Sequence, residues 1–255
     1  MVTRGNGFKA RMRASGGAPR RRWRRRLLWA AALLLALSLM PVLVLRYLDP
    51  PTSAMMLARQ WQMRADPGFT LRHAWLDLER ISPDLAIALV AAEDQRFPEH
   101  HGFDLDAISS AVAARGQRAR LRGASTISQQ VAKNLFLWSG RSWLRKGIEA
   151  YYTLAIELMW PKRRILEVYA NIAEFGDGVY GAQAAARRYF GRDAGDLDAR
   201  QAALLAAVLP NPRRLRVDAP SPYVLRRRAW IERQVRQLGG PAWLSACCGI
   251  GARSR

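Results

Sequence analysis

The longest unbroken apolar run lies near the start of the chain. Residues Leu27–Leu45 read LLWAAALLLALSLMPVLVL, nineteen positions without a charge. As a helix at about 1.5 Å per residue this run spans roughly 28 Å, close to the hydrocarbon thickness of a bilayer. Pro41 would kink such a helix without forbidding it. Beyond residue 70 the pattern becomes that of helices with polar and apolar faces. Ser82-Pro83 opens a helix with Ser as N-cap and Pro at its first position, and LAIALVAA (85–92) carries it to Glu93. Further helices are predicted over Ala54–Arg64, Asp106–Ala114, Ser125–Phe136, Trp143–Trp160, Lys162–Ala173, Ala182–Phe190 and Ala199–Leu209, and from Ser221-Pro222 to Gly239. Pro161, Gly191 and Pro210 supply stops. In Ser125–Phe136 the residues Ile127, Val131 and Leu135 share one face, and Thr126, Gln129, Gln130 and Lys133 another. Strand signals are sparse, since alternating β-branched runs hardly occur. The pattern predicts one mainly α domain over about residues 50–245.

Charge adds orientation. The chain holds 41 Lys and Arg against 20 Asp and Glu, a net +21. Residues 1–26 contain ten of the basic residues and no acidic one, which leaves 31 against 20 for the rest. Arg20–Arg22 and Arg24–Arg26 crowd the N-terminal flank of the apolar run, an asymmetry that places the N-terminus in the cytoplasm and the body outside. A cleaved signal peptide is the rival, but its apolar region is shorter and ends at a small-x-small site not found here. The organisation expected is a basic cytoplasmic tail (1–26), a transmembrane helix (27–45), a membrane-proximal linker (46–79), a catalytic domain (80–245) and a tail (246–255). The basic body points to an anionic partner: nucleic acid, lipid or a phosphate-bearing substrate. Cys247 and Cys248 are adjacent, so neither a disulfide framework nor a zinc set is present.

Candidate chemistry begins with the carboxylates. Glu93 ends an apolar helix, where partial burial would raise its pKa toward that of a useful base; the plainer reading is a pair with Arg96. Glu149 follows Arg145 and Lys146 by four and three residues, the spacing of a helix-face salt bridge. Glu157 and Glu167 read as surface partners for Arg163 and Arg164. GASTISQQ (123–130) opens a helix, so its backbone N–H groups could hold an anion, or Ser125 could simply cap it. RGQRARLRG (115–123) reads as a mobile basic loop. HExxH, G-x-S-x-G, Walker A and G-x-G-x-x-G motifs are all absent.

Taken in order, these segments resemble the peptidoglycan glycosyltransferase family, found alone and as the first module of bifunctional penicillin-binding proteins. E-D-x-x-F-x-x-H-x-G-x-D matches Glu93, Asp94, Phe97, His100, Gly102 and Asp104. G-[GA]-S-T-[IL]-[TS]-Q-Q-x-x-K-N matches Gly123 to Asn134, and R-K-x-x-E matches Arg145, Lys146 and Glu149. ILEVYANIAEFGDGVYGAQAAARRYFG (165–191) and LAAVLPNPRRL (205–215) complete five motifs over about residues 80–215. Ala124, Ser128 and Ala170 replace commoner residues without removing a proposed catalytic group.

The resemblance implies a lysozyme-like, two-lobed glycosyltransferase domain behind a single N-terminal transmembrane helix. It implies polymerisation of lipid II into β-1,4 glycan with inversion and release of undecaprenyl pyrophosphate. Glu93 would be the base on the acceptor 4-hydroxyl. Glu149 would assist at the donor pyrophosphate, directly or through a divalent cation such as magnesium or manganese. Lys133, Arg145 and Lys146 would meet the phosphates, while Asp94, Ser125, Gln130 and Asn134 would bind or orient substrate. The implied partners are lipid II, the growing glycan strand, the membrane and other wall-synthesis or division proteins, with no nucleic acid. The implied location is the bacterial inner membrane, with the domain periplasmic. No Lys follows a Ser by three positions, so the S-x-x-K acylation motif is absent and no transpeptidase activity is expected. A lytic enzyme would share a helical-lobe Glu but not need the cations before Glu149; a binding module would leave the recurring glutamates unexplained.

Overall fold

A computed structural model describes residues 18–106, 109, 125–140 and 142–249. Apart from Asp106 and Ser109, the expected helix over Asp106–Ala114 lies outside the described residues, as do the basic loop 115–123, most of the N-terminal tail and the last six positions. The chain divides at Pro41–Val42 into an N-terminal unit and the body.

Helix α1 (Ala18–Leu45) contains the whole apolar run and continues through Pro41. Its segment Arg22–Leu45 is 24 residues of mean hydropathy 2.5 over its most apolar stretch, enough by length and composition to cross a membrane.

The body is mainly helical: α2 (Ala54–Gln62), α3 (Pro83–Glu93), α4 (Ile127–Phe136), α5 (Trp143–Met159), α6 (Lys162–Ile172), α7 (Ala182–Phe190), α8 (Ala199–Val208), α9 (Pro222–Gln237) and α10 (Pro241–Cys248). In α3 seven consecutive residues, Leu85 to Ala91, are buried, the signature of a helix enclosed on every side. It packs on α8 and α9, while α4 packs on α5 and α6. Two helix bundles thus meet near the C-terminus of α3 and the N-terminus of α4. At the start of the body, Trp160 Nε1 donates to Val42 O (2.7 Å), and Arg164 donates to Leu45 O and Leu48 O and pairs with Asp49.

Several local expectations change. A small sheet of order β1-β3-β2 joins β1 (Arg72–His73), β2 (Glu174–Gly176) and β3 (Val179–Tyr180). β1 runs parallel to β3, and β2 antiparallel to it with a register irregularity. Strands this short have no periodicity to read; neighbouring helices hold them. Gly181 leads from β3 into α7 with φ +85, and a Cβ there would lie 2.6 Å from Asn171 O. α10 was not expected. Ser82 precedes α3 but does not cap it: its Oγ donates to Leu197 O (2.7 Å). Thr126, rather than Ser125, caps α4, through a full capping box with Gln129. Glu157 and Glu167 are not surface partners of Arg163 and Arg164 alike. Glu157 accepts from Ser128 and from Lys162 Nζ (2.8 Å), and Lys162 also donates to His100 O (2.6 Å). Glu167 is buried and pairs with Arg164, whereas Arg163 pairs with Glu79.

Candidate functional site

The C-terminus of α3 meets the N-terminus of α4 through Asp94. Its buried carboxylate accepts from Ile127 N (Oδ2, 2.9 Å) and lies 2.9 and 3.0 Å from His100 Nε2. Gly102 N donates to His100 Nδ1 (3.1 Å), so that nitrogen is the acceptor and Nε2 carries the proton given to Asp94. Gly102 has φ +90, and a Cβ would lie 2.8 Å from Thr153 Cγ2, so this turn needs glycine.

These bonds favour the capping reading of this helix start. Two of the first N–H groups of α4 are taken by the protein itself rather than held out for an external anion. Ile127 N is taken by Asp94 and Gln129 N by Thr126 Oγ1, while Thr126 N donates to Gln129 Oε1. A carboxylate of the protein already complements the positive end of the helix. Asp94, expected among the substrate-binding residues, is engaged by protein partners and buried.

Glu93, one residue earlier, is presented to a cleft. Its side chain is 16% exposed, and burial pushes its pKa up. Three contacts oppose that rise: Gln130 Nε2 donates to Oε2 (3.0 Å), Arg227 pairs with Oε1 (3.2 Å), and the charge of Lys133 lies nearby. The alternative pairing with Arg96 does not form; Arg96 pairs with Glu99, Asp104 and Asp106. Gln130 is oriented from behind. The buried Tyr169 hydroxyl donates to its Oε1 (3.3 Å), which turns the amide N–H₂ toward Glu93. Burial holds that phenol well above its ordinary pKa, so it stays a donor.

On the Gln130 side lies a cleft of about 440 Å³, lined among others by Lys133, Asn134, Arg145, Tyr180 and Arg213. Burial lowers the pKa of Lys133, and Glu149 is the main influence that opposes the fall. Glu149 is buried in α5 and holds Arg145 Nη1 at 3.0 Å and Lys146 Nζ at 2.5 Å. The helix salt bridge anticipated from spacing therefore forms, but inside the protein wall. Arg145 is largely enclosed at 12% exposure, whereas Lys146 is half exposed. Glu93 itself lines a smaller hollow of about 240 Å³, together with Ser125 and Trp230.

The structure thus gathers Gln130, Lys133, Asn134 and Arg145 around one cleft, with Glu149 behind Arg145 and Glu93 joined to it through Gln130. Glu93 and Ser125 line the smaller hollow, and Lys146 flanks Glu149 without lining either. Two participants lie outside the expected set. Tyr169 sat unremarked within a motif. Arg227, on α9, lies 134 residues from Glu93, and among the arginines of LRRRAW (225–230) nothing distinguishes the one that turns inward. Among the described residues no group of three or more His, Cys, Asp or Glu could hold a metal ion.

Comparison with known proteins agrees with this arrangement. Residues 62–236 match the protein family described as Transglycosylase. A biosynthetic peptidoglycan transglycosylase of Xanthomonas campestris pv. campestris (strain B100) is 58% identical over 233 residues, 89% of this chain and 95% of that protein. One from Xylella fastidiosa (strain M12) is 59% identical over 224 residues, 87% and 92% respectively, and one from Xanthomonas axonopodis pv. citri (strain 306) is 57% identical over 228 residues. With a family match across most of its length and relatives this similar, the chain belongs to the transglycosylase family, the peptidoglycan glycosyltransferases that its five motifs resemble.

Proposed function

We propose that this chain polymerises lipid II at the outer face of the bacterial inner membrane, with Glu93 as the base. The observation that carries this reading is the placement of Glu93: a carboxylate of raised pKa that lines a hollow and is bonded to Gln130, which lines the cation-lined cleft. The acceptor 4-hydroxyl gives its proton to Glu93 as its oxygen bonds the anomeric carbon of the donor sugar. The bond from that carbon to the pyrophosphate oxygen breaks on the opposite face, so configuration inverts. Negative charge grows on the departing pyrophosphate, and Lys133 and Arg145 supply the positive charge that meets it, with Lys146 beside them. Glu149 holds Arg145 and Lys146 in place. Gln130 orients Glu93, Asn134 and Ser125 meet substrate, and Asp94 shapes the loop that presents Glu93 rather than touching substrate.

A divalent ion at Glu149 does not fit these residues. Both carboxylate oxygens already face cations. A hard cation needs several oxygen ligands, and positive neighbours oppose it. The leaving group is therefore assigned to the side-chain cations alone.

The proposal places residues 1–26 in the cytoplasm, 27–45 across the membrane and 80–245 in the periplasm, with 46–79 between and 246–255 as a tail. The positive flank of the apolar run supports that orientation. Exposed Trp143, Leu144 and Leu158 on α5 support contact of the body with lipid. The growing glycan and other wall-synthesis proteins are its partners. The test is incubation of the purified full-length protein with labelled lipid II. Glycan polymer and released undecaprenyl pyrophosphate are expected. Cleavage of preformed glycan would favour a lytic enzyme, and bound but unchanged lipid a binding module.

A further inference from the structure

Trp230 has no role in what has been described, yet it occupies a notable position. It lies on α9, whose buried residues are Val224 and Ile231, and it remains 36% exposed. Its ring lines the hollow of about 240 Å³ beside Glu93, and also a neighbouring hollow of about 260 Å³ with Tyr223, Arg226 and Arg227. The Arg227 guanidinium that pairs with Glu93 lies 5.8 Å from the Trp230 ring centroid. The indole and the base are thus held by one side chain.

The cleft and the hollow differ in charge. The large cleft carries Lys133, Arg145 and Arg213. Among the described residues the small hollow is lined by Glu93, Asp94, Gln95, Asp104 and Ser125, with Trp230 as its one aromatic wall and no Lys or Arg. A phosphate belongs in the first. The second suits a neutral polyhydroxyl ring: carboxylate, amide and hydroxyl groups match its edges, and an indole face matches its apolar C–H face. Inversion requires nucleophile and leaving group on opposite faces of the anomeric carbon, and the base that takes the acceptor proton lines the small hollow and not the cation-lined cleft.

We propose that Trp230 is the stacking wall for the acceptor sugar, fixing the pyranose ring whose hydroxyl Glu93 deprotonates. This rests on the glycosyltransferase reading and assigns to that reaction a positioning residue outside its five motifs. The substitutions Trp230→Leu and Trp230→Phe separate the aromatic face from mere bulk. Initial rates over a range of lipid II concentrations, at two salt concentrations, give the readout, with thermal melting to confirm that each variant folds. Trp230→Leu should raise KM by about five- to tenfold, with the smaller effect on kcat, and Trp230→Phe should recover most of the loss. The salt dependence of KM should persist in Trp230→Leu, because the contact is with an uncharged ring, whereas Lys133→Met should flatten it. An unchanged KM in folded Trp230→Leu, or a Phe variant as impaired as the Leu variant, would overturn the stacking role while leaving the polymerase reading intact. A wild-type protein that makes no polymer would remove both.

Discussion

Replacing Glu93 by Gln isolates basicity from shape. The amide oxygen of Gln can still accept from Gln130 Nε2, now at 3.0 Å from Oε2, while the charge facing Arg227 at 3.2 Å disappears. Loss of a general base lowers rate by about 10²–10⁴, or roughly 3–5.5 kcal/mol of barrier. In the proposed mechanism Lys133 and Arg145 bind the substrate phosphates, so substrate affinity should change little. Two pH effects accompany the loss. Burial raises the pKa of Glu93, so the acid limb of kcat/KM in the wild type should lie above the ordinary carboxylate range and should vanish from the residual activity of the variant. For stability the folded state binds the proton more tightly than the unfolded state does. Stability contributed by the protonated side chain is therefore full below the unfolded pKa and lost as pH rises through the raised folded pKa. The variant lacks that loss, so its denaturation midpoint should fall less than the wild type's over this interval. Steady-state assays of lipid II polymerisation across pH, with chemical denaturation at the same pH values, test both. Near wild-type turnover in Glu93→Gln, or an acid limb that survives it unchanged, would refute the assignment of the base.

Three further outcomes follow from the same geometry. Arg227 holds the Glu93 pKa down against burial, so Arg227→Met should move the acid limb to higher pH and lower kcat/KM at neutral pH; an unmoved limb would show that the pair does not tune the base. Glu149→Gln leaves the enclosed Arg145 without its counter-charge, and breaking a buried pair typically costs 3–5 kcal/mol, so unfolding free energy should drop by about 3 kcal/mol with weakened donor binding; a loss under about 0.5 kcal/mol would contradict this account. A phosphatase fused after Arg255 should be active and a cytoplasmic reporter there inactive, and the reverse would overturn the orientation assigned to the body.

The helices were legible wherever periodicity was framed by punctuation. Ser82-Pro83, Pro161, Gly191 and Pro210 each mark a boundary that the structure keeps to within two residues. Elements whose support comes from elsewhere in the chain were not. The strands span two or three residues and exist because α7 and α8 pack on them, and α10 is too short to display a period. The site divides in the same way. Gln130, Lys133 and Asn134 share a face of α4, and Arg145 with Glu149 a face of α5, so spacing located them. Asp94 could not be distinguished from a ligand-facing acid, because its partner Ile127 N lies 33 residues on. Arg227 and Trp230 reach Glu93 only through the packing of α9 on α3.

The capped start of α4 bears on how the reaction ends. A cradle of backbone N–H groups is fixed in place and would grip the released pyrophosphate as firmly as the bound substrate. Here Asp94 and Thr126 occupy two of those groups, the N–H of Ile127 and of Gln129, and in the proposed mechanism the leaving group meets side-chain cations instead. Two of them, Arg145 and Lys146, already have a counter-charge in Glu149 and can return to it as the product departs. Turnover in a polymerising enzyme depends on letting go after every bond, and an anion site built from shared rather than dedicated charge favours that exit.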